Sequence, residues 1–199
     1  MPKARTNPER RAETRRSLVR AAHRLFAEQG FAETATQQVV AEAGVTRGAL
    51  YYHFTDKTAL FDAVVESIAA DIRREILAAA EGLDDPQAVL LDGCAAFLDV
   101  CLRPENQRIW LIDARSVIGW DRWRELDMGY AFTLLRHGVA QAMLLESPTD
   151  ESDAVARLFS GALNEAALTI AAAPNQRRAR RLHDAAFTEV TSAFLATIG

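Results

Sequence analysis

Groups that bind phosphate oxygens or base edges are concentrated in one short stretch, residues 44–54, which read G-V-T-R-G-A-L-Y-Y-H-F. Hydroxyl and guanidinium groups are suited to phosphate oxygens, and here they belong to Thr46, Arg47, Tyr51 and Tyr52. Gly48 carries no side chain, so a backbone can come close to another surface there. The stretch therefore predicts contact with a sugar–phosphate backbone or a base edge.

Two short helices on either side of a tight turn must position these groups. Thr34 or Thr36 can cap the first helix, and Gly44 can end it in a left-handed conformation. Thr46 can cap the second, which runs to about His53. This arrangement is the helix-turn-helix pattern.

The second of these short helices has an inward face and an outward face. Leu50 and Phe54 are four residues apart and can anchor the same face in a core. Tyr51 and Tyr52 then lie mainly on other faces. A helix-turn-helix also occurs in proteins that bind no DNA, and exposed tyrosines can cover a protein partner.

The charge is divided unevenly along the chain. Residues 1–57 hold ten Lys and Arg against six Asp and Glu, giving +4, whereas the remainder holds 13 against 21, giving −8. A basic segment on an acidic protein indicates a polyanionic partner for that segment. Several of the basic residues precede the helix-turn-helix pattern, where they can contact phosphates: Lys3, Arg5, Arg10, Arg11, Arg15 and Arg16.

The rest of the chain also has the pattern of helices. A flexible arm over residues 1–6 is followed by a first helix that ends at Gly30, with Asn7 as its N-cap and Pro8 in its first turn. A long helix begins near Thr55 or Asp56 and lasts about six turns. Further helices are predicted over 85–102, 105–117, 120–145, 150–173 and 175–198. No strand pattern is visible, and 49% of the residues are apolar. The predicted fold class is all-α with a substantial core.

Several classes of protein are disfavoured. The sequence shows no nucleophile elbow, phosphate-binding loop, dinucleotide fingerprint or metal-ligand spacing, so neither an enzyme nor a cofactor is expected. No signal peptide or membrane-spanning run is visible, which favours a cytoplasmic protein without a membrane partner. Cys94 and Cys101 are seven residues apart on one helix face, too far to bridge. They are interpreted as small buried residues, with a redox sensor as the alternative.

A specific family resemblance covers about residues 12–65. The run from Gly30 to Phe61, GFAETATQQVVAEAGVTRGALYYHFTDKTALF, resembles the N-terminal domain of TetR-family transcriptional regulators. The resemblance implies an all-helical homodimeric repressor. It also implies an N-terminal arm and three-helix DNA-binding head over 1–56, joined to a larger ligand-binding and dimerisation body over 57–199.

The resemblance also implies which residues contact DNA. The positions that match the family pattern fall in four places: the start of the second helix, the start of the recognition helix, its aromatic end, and the start of the following helix. In chain order they are Thr36, Gln37, Thr46, Arg47, Gly48, Ala49, Tyr51, Tyr52, His53 and Lys57. Many members carry a charged pair where this chain has Gln37 and Gln38. Because glutamine can pair with adenine, Gln37 is a candidate for base recognition.

The resemblance further predicts a ligand cavity in the middle helices, where all three tryptophans lie. The candidate ligand-binding residues are Phe97, Trp110, Asp113, Trp123 and Tyr130. An aromatic cavity with a few polar groups is typical of small-molecule sites. Aromatic residues at helical spacing are also ordinary core residues, so both interpretations remain open.

The last two helices are the candidate dimer interface, because the first of them carries a wide apolar surface rich in alanine and the second carries another apolar stripe. The resulting hypothesis is a repressor that binds a palindromic operator in double-stranded DNA. A small, largely apolar or aromatic effector in the body would release it. The alternatives are a ligand-independent DNA-binding protein and an activator.

Overall fold

The computed structural model describes residues 6–198, so most of the predicted arm, residues 1–5, lies outside the described residues. Within that range the secondary structure is helical and contains no strand, which confirms the all-α prediction. The helices are α1 (Asn7–Glu33), α2 (Thr36–Ala43), α3 (Arg47–His53), α4 (Lys57–Ala79), α5 (Pro86–Cys101), α6 (104–117), α7 (120–142), α8 (Asp150–Ala172) and α9 (Gln176–Ile198).

The chain forms two compact units. The head unit contains the residues up to Ser67 together with Pro104–Trp123, and the body unit contains Ile68–Arg103 together with the residues from Arg124 onward. Helices α4 and α7 each supply residues to both units. The sequence predicts that 104–123 belongs to the body, whereas these residues pack with the head unit.

The head unit has a core of apolar side chains from α1 to α4. Phe26 and Phe61 meet edge to face with ring centres 5.1 Å apart, and Phe31 contacts Phe61 at 5.2 Å. Leu50 and Phe54 are both buried, which confirms the predicted inward face of α3. Burying side chains of this size is the main contribution to the stability of a small helical unit.

Helix α1 begins one residue earlier than the sequence suggests. Thr6, rather than Asn7, is the N-cap: its hydroxyl accepts from the Glu9 amide, and the Glu9 carboxylate accepts from the Thr6 amide at 2.7 Å. This reciprocal capping box satisfies two backbone amides at the start of the helix. Proline at position 8 then lies in the first turn, as predicted.

Near its C-terminal end α1 is interrupted at Gly30, which has a φ of 83°. A side chain at this position would be strained in that conformation, and its Cβ would collide with the guanidinium of Arg108. The positive φ is thus the main reason for glycine here, because the flexible Arg108 side chain can move away.

Helix α6 packs on α1 within the head unit. His23 lies 3.0 Å from the side-chain oxygen of Asn106, and the Phe31 amide donates to the Asp113 carboxylate at 3.3 Å. The middle of α6, Gln107–Asp113, is wound as a π-helix. Such segments are uncommon and often occur at functional sites.

The body unit is built from α5, α7, α8, α9 and the C-terminal part of α4. Asp85 caps α5 by accepting from the Ala88 amide at 3.1 Å. Helix α7 contains a second π-helical turn, Met128–Phe132. Phe159 of α8 and Phe187 of α9 pack edge to face at 5.2 Å. No helix in the described part of the chain is long and apolar enough to cross a membrane.

Candidate nucleic-acid interface and ligand cavity

The turn between α2 and α3 is formed by local interactions. Gly44 takes a left-handed φ of 65°, and the Val45 amide donates to Val40 O at 3.0 Å. The Thr46 hydroxyl accepts from the Ala49 amide at 3.2 Å, which fixes the start of α3. The predicted helix-turn-helix, with its Gly44 stop and Thr46 cap, is therefore confirmed.

The start of α2 differs from the prediction. Neither Thr34 nor Thr36 is its N-cap. The N-cap is Ala35, whose amide donates to the Gln38 side chain at 2.7 Å. The Thr34 hydroxyl is buried and donates to Gly30 O at 2.8 Å. Gln38 also donates to the Gln29 side chain at 3.3 Å, so its amide is held within the head unit.

Helix α3 presents an exposed ridge of polar and aromatic side chains. Tyr52 is 62% exposed and Tyr51 is 43% exposed, unusual values for large aromatic residues. The Arg47 guanidinium lies 5.5 Å from the centre of the Tyr51 ring. Hydrogen bonds from Thr36 and then Arg47 lower the pKa of Tyr51.

Basic residues of α1 flank the other side of the ridge. The Arg11 guanidinium lies 4.9 Å from the Tyr52 ring centre, and Arg15 lies 5.3 Å from the Phe54 ring centre. Partial burial, followed by the charges of Arg11 and Arg15, lowers the pKa of His53. Arg11, Tyr52 and His53 line one shallow surface cleft. This concentration of cations and hydroxyls is suited to phosphate oxygens.

Most of the ten predicted DNA-binding residues lie at this surface. Gln37, Thr46, Arg47, Gly48, Tyr51 and Tyr52 are exposed, and Thr36, Ala49 and His53 are half-buried. The tenth, Lys57, has another set of partners. Its ammonium donates to the carbonyl oxygens of Phe31 at 2.8 Å, Ala32 at 3.2 Å and Thr34 at 3.1 Å. These three bonds use all the donors of a lysine.

The body unit contains a partly open cavity of about 220 Å³. Side chains of α4, α5, α7 and α8 line it, and most of them are apolar; they include Ile76, Leu90, Phe97, Phe132, Leu135 and Leu163. Its polar lining residues are Asp127, His137, Gln141, Ser160 and Asn164. An apolar cavity with a few convergent polar groups is the usual form of a small-molecule site.

The structure brings only Phe97, of the five residues predicted to bind a ligand, to this cavity. Trp110, Asp113 and Trp123 belong to the head unit, and Tyr130 is not among the lining residues. The two tryptophans are each 1% exposed and pack together with ring centres 5.8 Å apart. The aromatic spacing thus marks a packed cluster in the head unit, and Asp113 binds the Phe31 amide.

The polar residues of the cavity were not identified from the sequence. Asn164 and Asp127 each lie within a helical stripe, where nothing distinguishes a residue facing a void from one facing a neighbour. The one feature of the sequence that could have identified them is that an amide and a carboxylate, which are seldom buried, occupy inward-facing helix positions.

The two cysteines lie in the body unit and are free. Burial raises the pKa of Cys94 to about 12, and burial together with the charge of Asp127 raises the pKa of Cys101 well above its usual range. Because the thiolate is the reactive form, this burial disfavours reaction of both thiols. The interpretation as small buried residues accounts for both.

An all-helical chain with an exposed, basic helix-turn-helix surface has the architecture of a DNA-binding transcriptional regulator. Residues 18–64 match the family described as "Bacterial regulatory proteins, tetR family", and residues 87–194 match the "Tetracyclin repressor-like, C-terminal domain". The chain belongs to the TetR family of transcriptional regulators. Members of this family bind DNA and small-molecule effectors and act as dimers.

Individual relatives agree with this assignment. A solved TetR-family regulator from Pectobacterium atrosepticum is 34% identical, with 94% of this chain and 95% of that chain covered and a TM-score of 0.72. The regulator AcrR of Shigella flexneri is 35% identical over 107 residues, 53% of this chain and 50% of the relative. The repressor BepR of Brucella suis is 34% identical over 100 residues, 49% of this chain and 47% of the relative. The chain thus spans about half the length of the curated relatives it matches.

Proposed function

We propose that the protein is a homodimeric, ligand-responsive repressor that acts on DNA in the cytoplasm. It binds a palindromic operator and is released when a small, largely apolar molecule enters the cavity of the body unit. The observation that carries this proposal is the presence, in one chain, of a polar ridge on α3 and an apolar cavity in the body unit.

The ridge of α3 supplies both kinds of DNA contact. Tyr51, Tyr52 and the Thr46 hydroxyl are placed to donate to phosphate oxygens, which sets the position of the head on the duplex. Arg47 and Gln37 are exposed and long enough to reach base edges, where arginine pairs with guanine and glutamine with adenine. Arg11 adds a cation beside Tyr52.

The dimer forms through α8 and α9. Several apolar side chains on these helices are exposed in the single chain, namely Leu158, Leu182 and Val190. Their neighbours on the same faces include Ala162 and Ala186, whose small side chains allow helices to approach closely. Two helices from each subunit then form a four-helix bundle, and two-fold symmetry matches a palindromic site.

The switch connects the cavity to the head along the chain. Helices α4 and α7 both line the cavity, and both also supply residues to the head unit. A ligand that fits one arrangement of these helices better than another shifts the equilibrium by that difference in affinity. Release follows when the favoured arrangement no longer matches the spacing of the two half-sites.

Selection of operators from random duplexes, followed by titration with a broad set of apolar ligands, tests the proposal. We expect one palindromic sequence to be enriched and at least one ligand to lower operator affinity. The variant Ala131→Phe fills the cavity with a ring and should keep operator binding while losing the ligand response. Tight operator binding that no ligand of the set changes would instead support a ligand-independent regulator.

A further inference from the structure

We infer that the cavity of the body unit selects a compact, neutral, largely apolar molecule that carries a hydrogen-bond donor, such as an alkylphenol. This inference rests on the proposed function, because it names the class of effector that the same cavity takes. Two polar residues of the lining carry it, Asn164 and Asp127, and a third, His137, is compatible with it.

Asn164 presents an acceptor that lacks a partner. Its side-chain nitrogen donates to Ser160 O at 2.9 Å, while its Oδ1 atom is buried and has no hydrogen-bond partner within the described residues. The opposite orientation of the amide would place an oxygen against the Ser160 carbonyl, so the assignment is fixed by its neighbour. A buried acceptor without a donor is costly, and a ligand donor in the cavity would satisfy it.

His137 supplies a second acceptor at the cavity. Its Nδ1 atom lies 2.7 Å from Thr133 O, and a carbonyl oxygen can only accept, so Nδ1 carries the hydrogen. In the neutral imidazole the Nε2 atom then has a lone pair and no hydrogen. Because His137 is exposed and can also bond to water, the buried Oδ1 of Asn164 is the group that calls for a donor on the ligand.

Asp127 decides the charge of the ligand. Its side chain is buried in the lining and paired with Arg124 at 2.7 Å. An anionic ligand would lose its hydration in this apolar lining and gain no free opposite charge, because Arg124 is already paired with Asp127. A cationic ligand would find the same carboxylate already compensated by Arg124. A neutral molecule avoids both costs.

The volume sets the size of the molecule. A protein cavity of about 150 Å³ accepts benzene, and this cavity measures about 220 Å³. In proportion to the six carbon atoms of benzene, it accommodates roughly nine non-hydrogen atoms, with further atoms reaching into its open side. A single ring with a short alkyl chain and one polar group fits both the volume and the apolar lining.

Calorimetric titration of the full-length protein with three probes of similar size tests this inference: 4-propylphenol, 4-propylanisole and 4-propylbenzoate. The phenol has a donor, the anisole has only an acceptor, and the benzoate is an anion. We expect the phenol to bind at least tenfold more tightly than the anisole and the benzoate to bind most weakly. Asn164→Leu should reduce the phenol–anisole ratio to near one.

A matched control comes from Gln141, another polar residue of the lining. Gln141→Leu should leave the phenol–anisole ratio unchanged. Two results would overturn the inference: equal affinities of the unmodified protein for the phenol and the anisole, or no binding of any probe. Equal affinities would still support a ligand cavity. If Asn164→Leu does not fold, Asn164→Ala and the ratio in the unmodified protein decide. The proposed function fails separately, if no ligand of the broad set changes operator affinity.

Discussion

The ammonium of Lys57 lies 2.8 Å from the carbonyl oxygen of Phe31 and 4.4 Å from the centre of its ring. Lys57 opens α4, and Phe31 is in the last turn of α1, which ends without another cation. A lysine at this position satisfies carbonyl groups that have no partner within the helix and interacts favourably with the negative end of its dipole. Lys57 therefore joins α4 to the C-terminal end of α1.

Replacing Lys57 tests whether this residue supports the head or contacts DNA. Lys57→Ala should lower the free energy of unfolding by about 1–3 kcal/mol, because three carbonyl groups lose a charged donor. Urea unfolding measures this change. Operator affinity should fall only as far as the folded fraction falls.

The salt dependence of binding separates the two roles of Lys57. Loss of a phosphate contact reduces the slope of log affinity against log salt by about one, whereas loss of a structural contact leaves it unchanged. We expect an unchanged slope for Lys57→Ala and a reduced slope for the matched variant Arg11→Ala. A reduced slope for Lys57→Ala would show that Lys57 contacts a phosphate, as the family resemblance implies.

Gly30 should tolerate a side chain poorly, chiefly because of its positive φ. Gly30→Ala should destabilise the protein by about 1–3 kcal/mol, because it adds strain at positive φ and a collision with the guanidinium. Thermal unfolding measures the loss. The double variant Gly30→Ala/Arg108→Ala removes the collision and should recover part of it. An equal loss in both variants would show that backbone strain alone is responsible.

The parts of the fold that depend on neighbours in sequence could be predicted. Gly44 ends α2 and Thr46 caps α3 through contacts over three or four residues, so their residue types were sufficient. Leu50 and Phe54 face inward because their spacing matches the helical repeat. The helix-turn-helix surface follows from these local features together with the family resemblance.

The parts that depend on distant neighbours could not be predicted. Asp113 binds the Phe31 amide, and Asn106 meets His23, across more than 80 residues of chain. An apolar stripe shows that a face is buried but does not show which helix covers it. For the same reason, Trp110 and Trp123 looked like cavity residues although they pack against each other. The π-helical turns have no distinct periodicity in sequence.

The stability of the head should depend on pH through His53. Partial burial and the neighbouring arginines lower its pKa, so protonation is harder in the folded state than in the unfolded chain. This contribution is present above the pKa of unfolded histidine, about 6.5, and is lost as the pH falls through the lower value of the folded state. Urea midpoints at a series of pH values should show a decline on acidification that His53→Gln reduces. Identical profiles would contradict the assignment.

The two exposed residues proposed to read bases should behave differently from those that contact phosphate. Arg47→Ala and Gln37→Ala should each change which duplexes are preferred, by about 1–3 kcal/mol at a single base position. Tyr51→Phe should weaken all duplexes to a similar extent, because a phosphate contact carries no sequence information. Binding to a library of operator variants at one stated salt concentration measures both effects. Uniform losses from all three changes would remove the distinction between base and phosphate contacts.

The dimer interface can be tested with charges on the exposed apolar faces of α8 and α9. Leu158 is 75% exposed and Val190 is 64% exposed in the single chain, so neither substitution should disturb the core. Leu158→Glu combined with Val190→Glu would place like charges in the interface and should yield a monomer by sedimentation equilibrium. Ile112→Glu is a matched control, because Ile112 is 66% exposed but belongs to α6. The monomer should bind operator weakly, since one head contacts only one half-site. A double variant that remains dimeric and binds normally would place the interface elsewhere.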